Sequence, residues 1–277
     1  MTMTTELITS GRTSSCSESG AAAGEVLVRV AGGVVTATFN RPDKLNALTP
    51  GMYEDLGRVC DRVNANTSVR LLVLRGAGRA FAAGSDIAHF RSFVGGEDGV
   101  AYEDRFVSFL EILEGVRVPT LAVVDGACAG AGLLLAAACD VRIATARSYF
   151  GLPIARTLGN ALSAYPLALL ADRIGSARLA SMVARAKMLP ATEAAEIGFV
   201  AEVTGPDIFD DLVAEVTSEL LAAAPLTVAS TREVLRRIRV AGLPESADLI
   251  RVVYGSADFQ AGVAAFLRGE RAVWSGT

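Results

Sequence analysis

The chain has 277 residues, 51% of them hydrophobic and 20% charged, which is globular usage with length for one large core or two smaller domains. A net charge of −4 argues against nucleic acid and against an anionic membrane surface as partners. A single histidine, His89, excludes a multi-histidine metal site. The four cysteines (Cys16, Cys60, Cys128, Cys139) stand far apart, as isolated thiols in a reducing compartment do.

Residues 1–24 are rich in Ser, Thr, Gly and Ala and lack an apolar stretch, so they read as a disordered tail and not as a signal peptide. Asp125 and Asp140 bracket the longest apolar run, which falls short of the ~18 residues of a membrane span. A cytoplasmic protein is expected. Val26 to Val30 and Val34 to Phe39 are β-branched runs around Ala31-Gly32-Gly33, a hairpin signal. A loop, Asn40 to Leu48, precedes Thr49-Pro50, a cap and a first-turn proline that open a helix with an apolar stripe at Met52, Leu56, Val59 and Val63. Leu71 to Leu74 reads as a buried strand, Ala77 to Gly84 as a loop, Asp86 as the start of a short helix, and Tyr102 to Leu113 as a longer one.

Thr120 to Val124 is an apolar strand that runs into glycines at Gly126, Gly130 and Gly132, followed by an Ala/Leu run, Leu133 to Cys139, that reads as a buried helix. Strand, glycine turn and buried helix aim the unpaired first-turn N–H groups into a cleft, where an anion or a developing oxyanion is favoured. The alternative is that the glycines only let helix and sheet approach closely. Val141 to Ala144 is another strand, and Tyr149-Phe150 is expected to continue the sheet. Strands and helices alternating at this spacing indicate βαβ units and a largely parallel sheet. Beyond Phe199 to Val203 the segments Ile208 to Ala224, Thr227 to Val240 and Ser246 to Phe266 all read as helical. A boundary near Thr204 separates an α/β core, residues 25–204, from a helical C-terminal part, residues 205–277.

Asn40-Arg-Pro-x-Lys-x-Asn-Ala-Leu48, Phe81-Ala-Ala-Gly-Ser-Asp-Ile87, Asp125-Gly-x-x-x-Gly-Ala-Gly132 with Ala138-Cys-Asp-Val141, and Ser256-Ala-Asp-Phe-x-x-Gly-x-x-Ala-Phe266 occur in this order. Together they resemble the crotonase family, also called the enoyl-CoA hydratase/isomerase family, from about Val26 to the C-terminus. The resemblance implies an α/β spiral of ββα units with a C-terminal helical trimerisation region, and a homotrimer or dimer of trimers. It implies an acyl-CoA or enoyl-CoA thioester as ligand, with no cofactor beyond the CoA that the substrate carries. Carried over, the donors to the thioester oxygen are the backbone N–H groups of Ser85 and of Ala131, which follows Gly130. The backbone from Ala83 through Asp86 to Ile87 would line the adenine pocket, and Lys44 would sit near the CoA phosphates.

The sequence also departs from the pattern it resembles. Family hydratases carry one glutamate three residues after the second donor, here Leu134, and another after the proline of a Phe-Gly-x-Pro segment, here Ile154. Hydrocarbon cannot transfer a proton, and positioned acid/base groups contribute about 10²–10⁴-fold. Efficient hydration is therefore doubtful, and a non-catalytic acyl-CoA binding protein is the alternative. Arg156, Thr157, Asn160, Ser163 and Tyr165 follow Ile154 and are candidate replacements. Arg156 leads, because a guanidinium binds a carboxylate bidentately; the bland reading is that they anchor a helix beginning near Asn160. Ser85, Asp86 and His89 also suggest a hydrolase triad, which the use of the Ser85 backbone for the oxyanion disfavours.

Overall fold

Three strand pairs, each divided between two sheets, organise the computed structural model, which describes residues 24–277. The tail read over residues 1–24 lies, apart from Gly24, outside the described residues, as does Cys16. Strands β1 (Glu25–Ala31) and β2 (Val34–Asn40) form the expected hairpin, and Gly32 and Gly33 take φ of 57° and 79° at its two-residue turn. Helix α1 (Pro50–Ala65) follows. Thr49 caps it by accepting from the Met52 amide, and Met52, Leu56, Val59 and Val63 are all buried.

The next three turns share one plan. β3 (Leu71–Gly76) and β4 (Ala80–Ala82) lead to α2 (Gly96–Glu114); β5 (Thr120–Val124) and β6 (Ala127–Ala129) lead to α3 (Ala131–Ala138); β7 (Val141–Thr145) and β8 (Tyr149–Gly151) lead to α4 (Ile154–Thr157). In each turn the first strand enters a six-stranded sheet, ordered β1-β2-β3-β5-β7-β10, where β10 is Glu202–Thr204. The second enters a four-stranded sheet, ordered β4-β6-β8-β9, where β9 is Leu189–Pro190. All pairings except β1 with β2 and β8 with β9 are parallel. This is the α/β spiral of ββα units that the motifs implied.

Two readings need correction here. The stretch 77–84, read as a loop, contains β4, and the glycine-rich stretch contains β6. Tyr149-Phe150 belongs to the second sheet and does not continue the first. A three-residue strand is too short to express an alternating pattern, so nothing local distinguishes it from a loop.

Both faces of the larger sheet are covered. Leu72 and Leu74 point into the main core with α1 and α3, while Leu71 and Val73 meet Phe209, Leu212 and Val216 of α8 (Phe209–Ala222) on the other face. Every residue of α3 is buried, as its lack of a polar face requires. Its last carbonyls are satisfied by buried Arg142, which donates to Ala136 O at 3.1 Å and Cys139 O at 2.6 Å.

Helices α5 (Ala164–Ile174), α6 (Ser176–Arg185) and α7 (Ala191–Glu196) precede β10, and α9 (Pro225–Val240) follows α8. The helix read across Ser246 to Phe266 is two helices, α10 (Ala247–Tyr254) and α11 (Ala257–Arg268). Ser256 stops one and caps the other, accepting from the Phe259 amide at 3.0 Å. α10 lies close on α2, because a side chain at Gly96 or Gly99 would strike the Arg251 carbonyl or the Tyr254 ring. No single helix among the described residues is long and apolar enough to cross a membrane.

Gly132, in the first turn of α3, has no room for a side chain. A Cβ there would fall 2.1 Å from the carbonyl oxygen of Ala82 in β4. Gly132→Ala should therefore destabilise the chain by about 1–3 kcal/mol or more, read as a lowered midpoint of urea unfolding at unchanged m-value.

Candidate functional site

The site begins with an asparagine. Asn46 is fully buried with φ of 55°, in the left-handed region that asparagine tolerates better than most residues. Its Oδ1 accepts from the Arg41 amide at 2.9 Å, and its Nδ2 donates to the carbonyls of Ala77 at 2.9 Å and Ala80 at 2.7 Å. The 40–48 loop is thereby bound to the segment around β4. It then grips the residues after β4 edge to edge: Ala83 N–H donates to Leu45 O, Leu48 N–H to Gly84 O, and Asp86 N–H to Leu48 O. Leu48 and Ser85 are bridge partners in this parallel pairing, so the amide of Ser85 itself points away from Leu48.

On that other side lies the second glycine turn. β4 and β6 are neighbours; Gly130 (φ 54°) follows β6 directly, and Gly84 (φ 120°) follows β4 after Ala83. A Cβ on Gly130 would lie 3.4 Å from the Gly84 Cα, and a Cβ on Gly84 would lie 3.9 Å from the Ala131 nitrogen. Ala131 is the first residue of α3, so its N–H has no partner inside the helix. Neither the Ser85 nor the Ala131 amide donates a hydrogen bond to another backbone group or side chain among the described residues. Two unpaired amides on abutting turns suit one oxygen that gains negative charge.

The hydroxyl of Ser85 is engaged elsewhere. It lies 2.9 Å from the Tyr53 hydroxyl of α1 and 2.7 Å from the Tyr102 hydroxyl of α2. The phenol rings are held by Phe106, parallel to Tyr102 at 6.3 Å, and by Phe109, edge-on to Tyr53 at 5.1 Å. Burial pushes both phenols above their ordinary range, so both are protonated at neutral pH. His89 makes no hydrogen bond to Ser85; its ring stands beside Phe90, Phe93 and Tyr102, and burial with nearby Arg105 lowers its pKa. No side-chain hydrogen bond thus joins the three residues of the hydrolase reading, and His89 meets Asp86 only through its backbone N–H, which donates to the Asp86 carbonyl at 3.1 Å.

The remaining candidates divide. Asp86 caps the 3-10 turn Ile87–Ser92 and pairs with Arg41 at 2.7 Å. Lys44 is exposed at the end of the 3-10 turn Pro42–Lys44. Leu134 is 1% exposed in the main core, and Ile154 packs half-buried against that core. Arg156 is exposed on α4, and its side chain has no hydrogen bond or ion pair among the described residues. Asn160 donates to the Tyr254 hydroxyl at 3.3 Å, and the helix expected near it begins instead at Ala164. The three described cysteines, Cys60, Cys128 and Cys139, are buried free thiols.

Tyr53, Tyr102 and Glu103 escaped the sequence reading. The signal for Glu103 was present, since it falls in the buried series Gly99, Glu103, Phe106, Leu110 and Leu113 along α2. Its carboxylate accepts from the Ser163 amide at 2.8 Å, at the start of α5, and from the Tyr254 hydroxyl at 3.2 Å.

The sequence model of the family described as enoyl-CoA hydratase/isomerase matches residues 29–277. The chain belongs to the enoyl-CoA hydratase/isomerase family. A Mycobacterium leprae protein named probable enoyl-CoA hydratase echA12 is 35% identical over 178 residues, 61% of this chain and 59% of that protein. The (E)-benzylidenesuccinyl-CoA hydratase of Thauera aromatica is 31% identical over 75% of this chain and 80% of its own length. Among solved structures, a methylmalonyl-CoA decarboxylase in complex with 2-nitronate-propionyl-CoA superposes with a TM-score of 0.83, at 25% identity over 91% of this chain and 98% of that one. The crotonase fold is therefore shared along nearly the whole described chain.

Burial raises the pKa of Glu103, against the lowering by its bonds to Ser163 and Tyr254. A carboxyl whose folded pKa lies above its unfolded one contributes stability below the ordinary carboxylate range, and that stability is lost as pH rises through the raised value. The urea midpoint of Glu103→Gln should accordingly gain on wild type as pH rises above the ordinary carboxylate range. A difference that shrinks or stays flat over that rise would contradict the assignment.

Proposed function

We propose that this chain is a CoA-thioester enzyme whose Ser85 and Ala131 backbone amides hold the thioester carbonyl oxygen and stabilise the enolate form. The observation that carries the reading is the contact of the Gly84 and Gly130 turns, with an unpartnered amide on each. Family membership supplies the substrate class, since the relatives above are named for CoA thioesters. Lys44 then serves the CoA phosphates, and the backbone from Ala83 to Ile87 the adenine. Efficient hydration is not part of the proposal, because Leu134 and Ile154 offer no acid or base. Hydration is also not the only chemistry named among proteins of this fold, as the decarboxylase illustrates.

A non-catalytic acyl-CoA binding protein is the second reading, favoured by the same two hydrocarbon positions. Turnover on a panel of enoyl-, β-ketoacyl- and carboxyacyl-CoA thioesters separates the two. A homotrimer or dimer of trimers fits the exposed apolar residues of the C-terminal helices, among them Leu226 (84% exposed), Ile238 (68%) and Val252 (71%).

Proline is tolerated at the first position of a helix, and it removes the N–H while keeping the backbone path. Ala131→Pro should lower kcat about 10²–10³-fold, as loss of one oxyanion donor does elsewhere. Ala131→Gly retains the N–H and should stay within about threefold of wild type on that reasoning. Equal activity of the proline and glycine variants would overturn the role of this amide, and absence of acyl-CoA binding at millimolar ligand by titration calorimetry would overturn the function.

A further inference from the structure

β1 ends the six-stranded sheet, and no strand among the described residues pairs with its outer side. Its register shows which backbone groups that side presents. The carbonyls of Gly33 and Phe39 accept from the Leu71 and Ala77 amides, so odd-numbered positions of β2 face β3 and even-numbered ones face β1. The β1–β2 register then turns the N–H and C=O groups of Glu25, Leu27, Arg29 and Ala31 towards β2, and those of Val26, Val28 and Val30 outward. Natural sheets guard such edges with a proline, a bulge or an inward-pointing charge. β1 has no proline, and its pairing with β2 runs unbroken from Glu25 to Ala31. Leu27 and Val30 are each 40% exposed.

The charges of the strand say what fits there. Glu25 and Arg29 are exposed on one face, with Leu27 between them. Four residues of strand separate them by about 13 Å, so they cannot pair with each other. Arg29 has no hydrogen bond or ion pair among the described residues, and Glu25 accepts from Asn40 Nδ2 at 3.1 Å. We infer that β1 is a docking edge for a second copy of this chain, laid antiparallel so that Glu25 of each copy faces Arg29 of the other. In that register Leu27 meets its own counterpart across the two-fold axis. Val26 of each copy exchanges backbone hydrogen bonds with Val28 of the other, using the groups that point outward. Sliding the second copy by two residues sets Arg29 against Leu27 in one direction and Glu25 against Leu27 in the other, so both ion pairs are lost. Opposite charges directly across a strand pair attract and like charges repel, which selects the one register. This surface is separate from the C-terminal helices, and it does not depend on the thioester reading.

The test is the mass of the full chain in solution, read by sedimentation over a range of concentrations. Val28→Pro removes an outward N–H and no bond to β2, and proline is tolerated on an edge strand. It should halve the particle mass while leaving the far-UV circular dichroism unchanged. Glu25→Arg and Arg29→Glu, both at exposed side chains, should each raise the dissociation constant of the contact about tenfold or more. The double variant restores opposite charges across the axis and should return to within about threefold of wild type. Leu27→Cys, made with Cys16→Ser, should give a disulfide-linked pair on mild oxidation, because facing residues at a non-hydrogen-bonded position lie about 4.5 Å apart at Cα. A mass unchanged by Val28→Pro, a double variant as weak as the single ones, or no linked pair through Cys at position 27 would each overturn the inference. The edge would then be left to another occupant, residues 1–23 of the same chain or a different protein.

Discussion

The contact between two backbone turns is the constraint on which the rest of the site depends. Gly84 and Gly130 lie near the ends of neighbouring strands, where a Cβ on either would touch the other turn at ordinary contact distance and where φ of 120° and 54° calls for glycine. Hydrogen bonding explains how so close an approach is held. Asn46 and Leu48 bind the first turn from outside, while Gly130 donates to the Gly151 carbonyl of β8 at 2.9 Å on the far side of β6. Buried backbone groups that satisfy one another in this way leave few unpaired, and those left stand out. The Ser85 and Ala131 amides are two of them.

α2 has a second organising role, because it carries Tyr102 to the site and is tied down at three points. Gly96 and Gly99 admit α10 at close range. Glu103 joins α2 to the start of α5 and to Tyr254 of α10. Farther along, buried Glu114 accepts from the Tyr165 hydroxyl of α5 at 2.8 Å and from Arg239 of α9 at 2.7 Å. A buried ion pair of this kind gives little net stability, since desolvation offsets most of the attraction. It does penalise any shift of register between the three helices, because a shift would strand a charge. The tyrosine hydroxyl is thus held in place by contacts along the length of its own helix.

The aromatic surroundings account for the neutrality of both phenols. Phe106 and Phe109 on α2, with Phe90 in the 3-10 turn after Asp86 and Phe93 just beyond it, surround the phenols with rings in stacked and edge-on contact. An ionised phenol in such surroundings loses solvation that two hydroxyl neighbours cannot replace, so the neutral form persists. Carboxylates serve as bases because they are charged at neutral pH. A protonated phenol has a proton to give and cannot take one up as a carboxylate does, although its oxygen still accepts hydrogen bonds.

Several elements were legible in the order of residues alone. The hairpin glycines, the Thr49-Pro50 helix start and the all-apolar α3 each depend on neighbours within a few positions, and local rules sufficed for them. The two amides proposed to face the oxyanion were singled out through resemblance of short motifs and not through periodicity. The short strands β4, β6 and β8 were not, since three residues carry no period and their pairing partners lie about 20 or more positions away along the chain. The same holds for the hydroxyl chain. Tyr53, Ser85 and Tyr102 are separated by 32 and 17 residues, and each alone looks like an ordinary helix or loop residue. Only the tertiary structure decided that their oxygens meet, because the spiral of strands brings two helices over one turn of backbone.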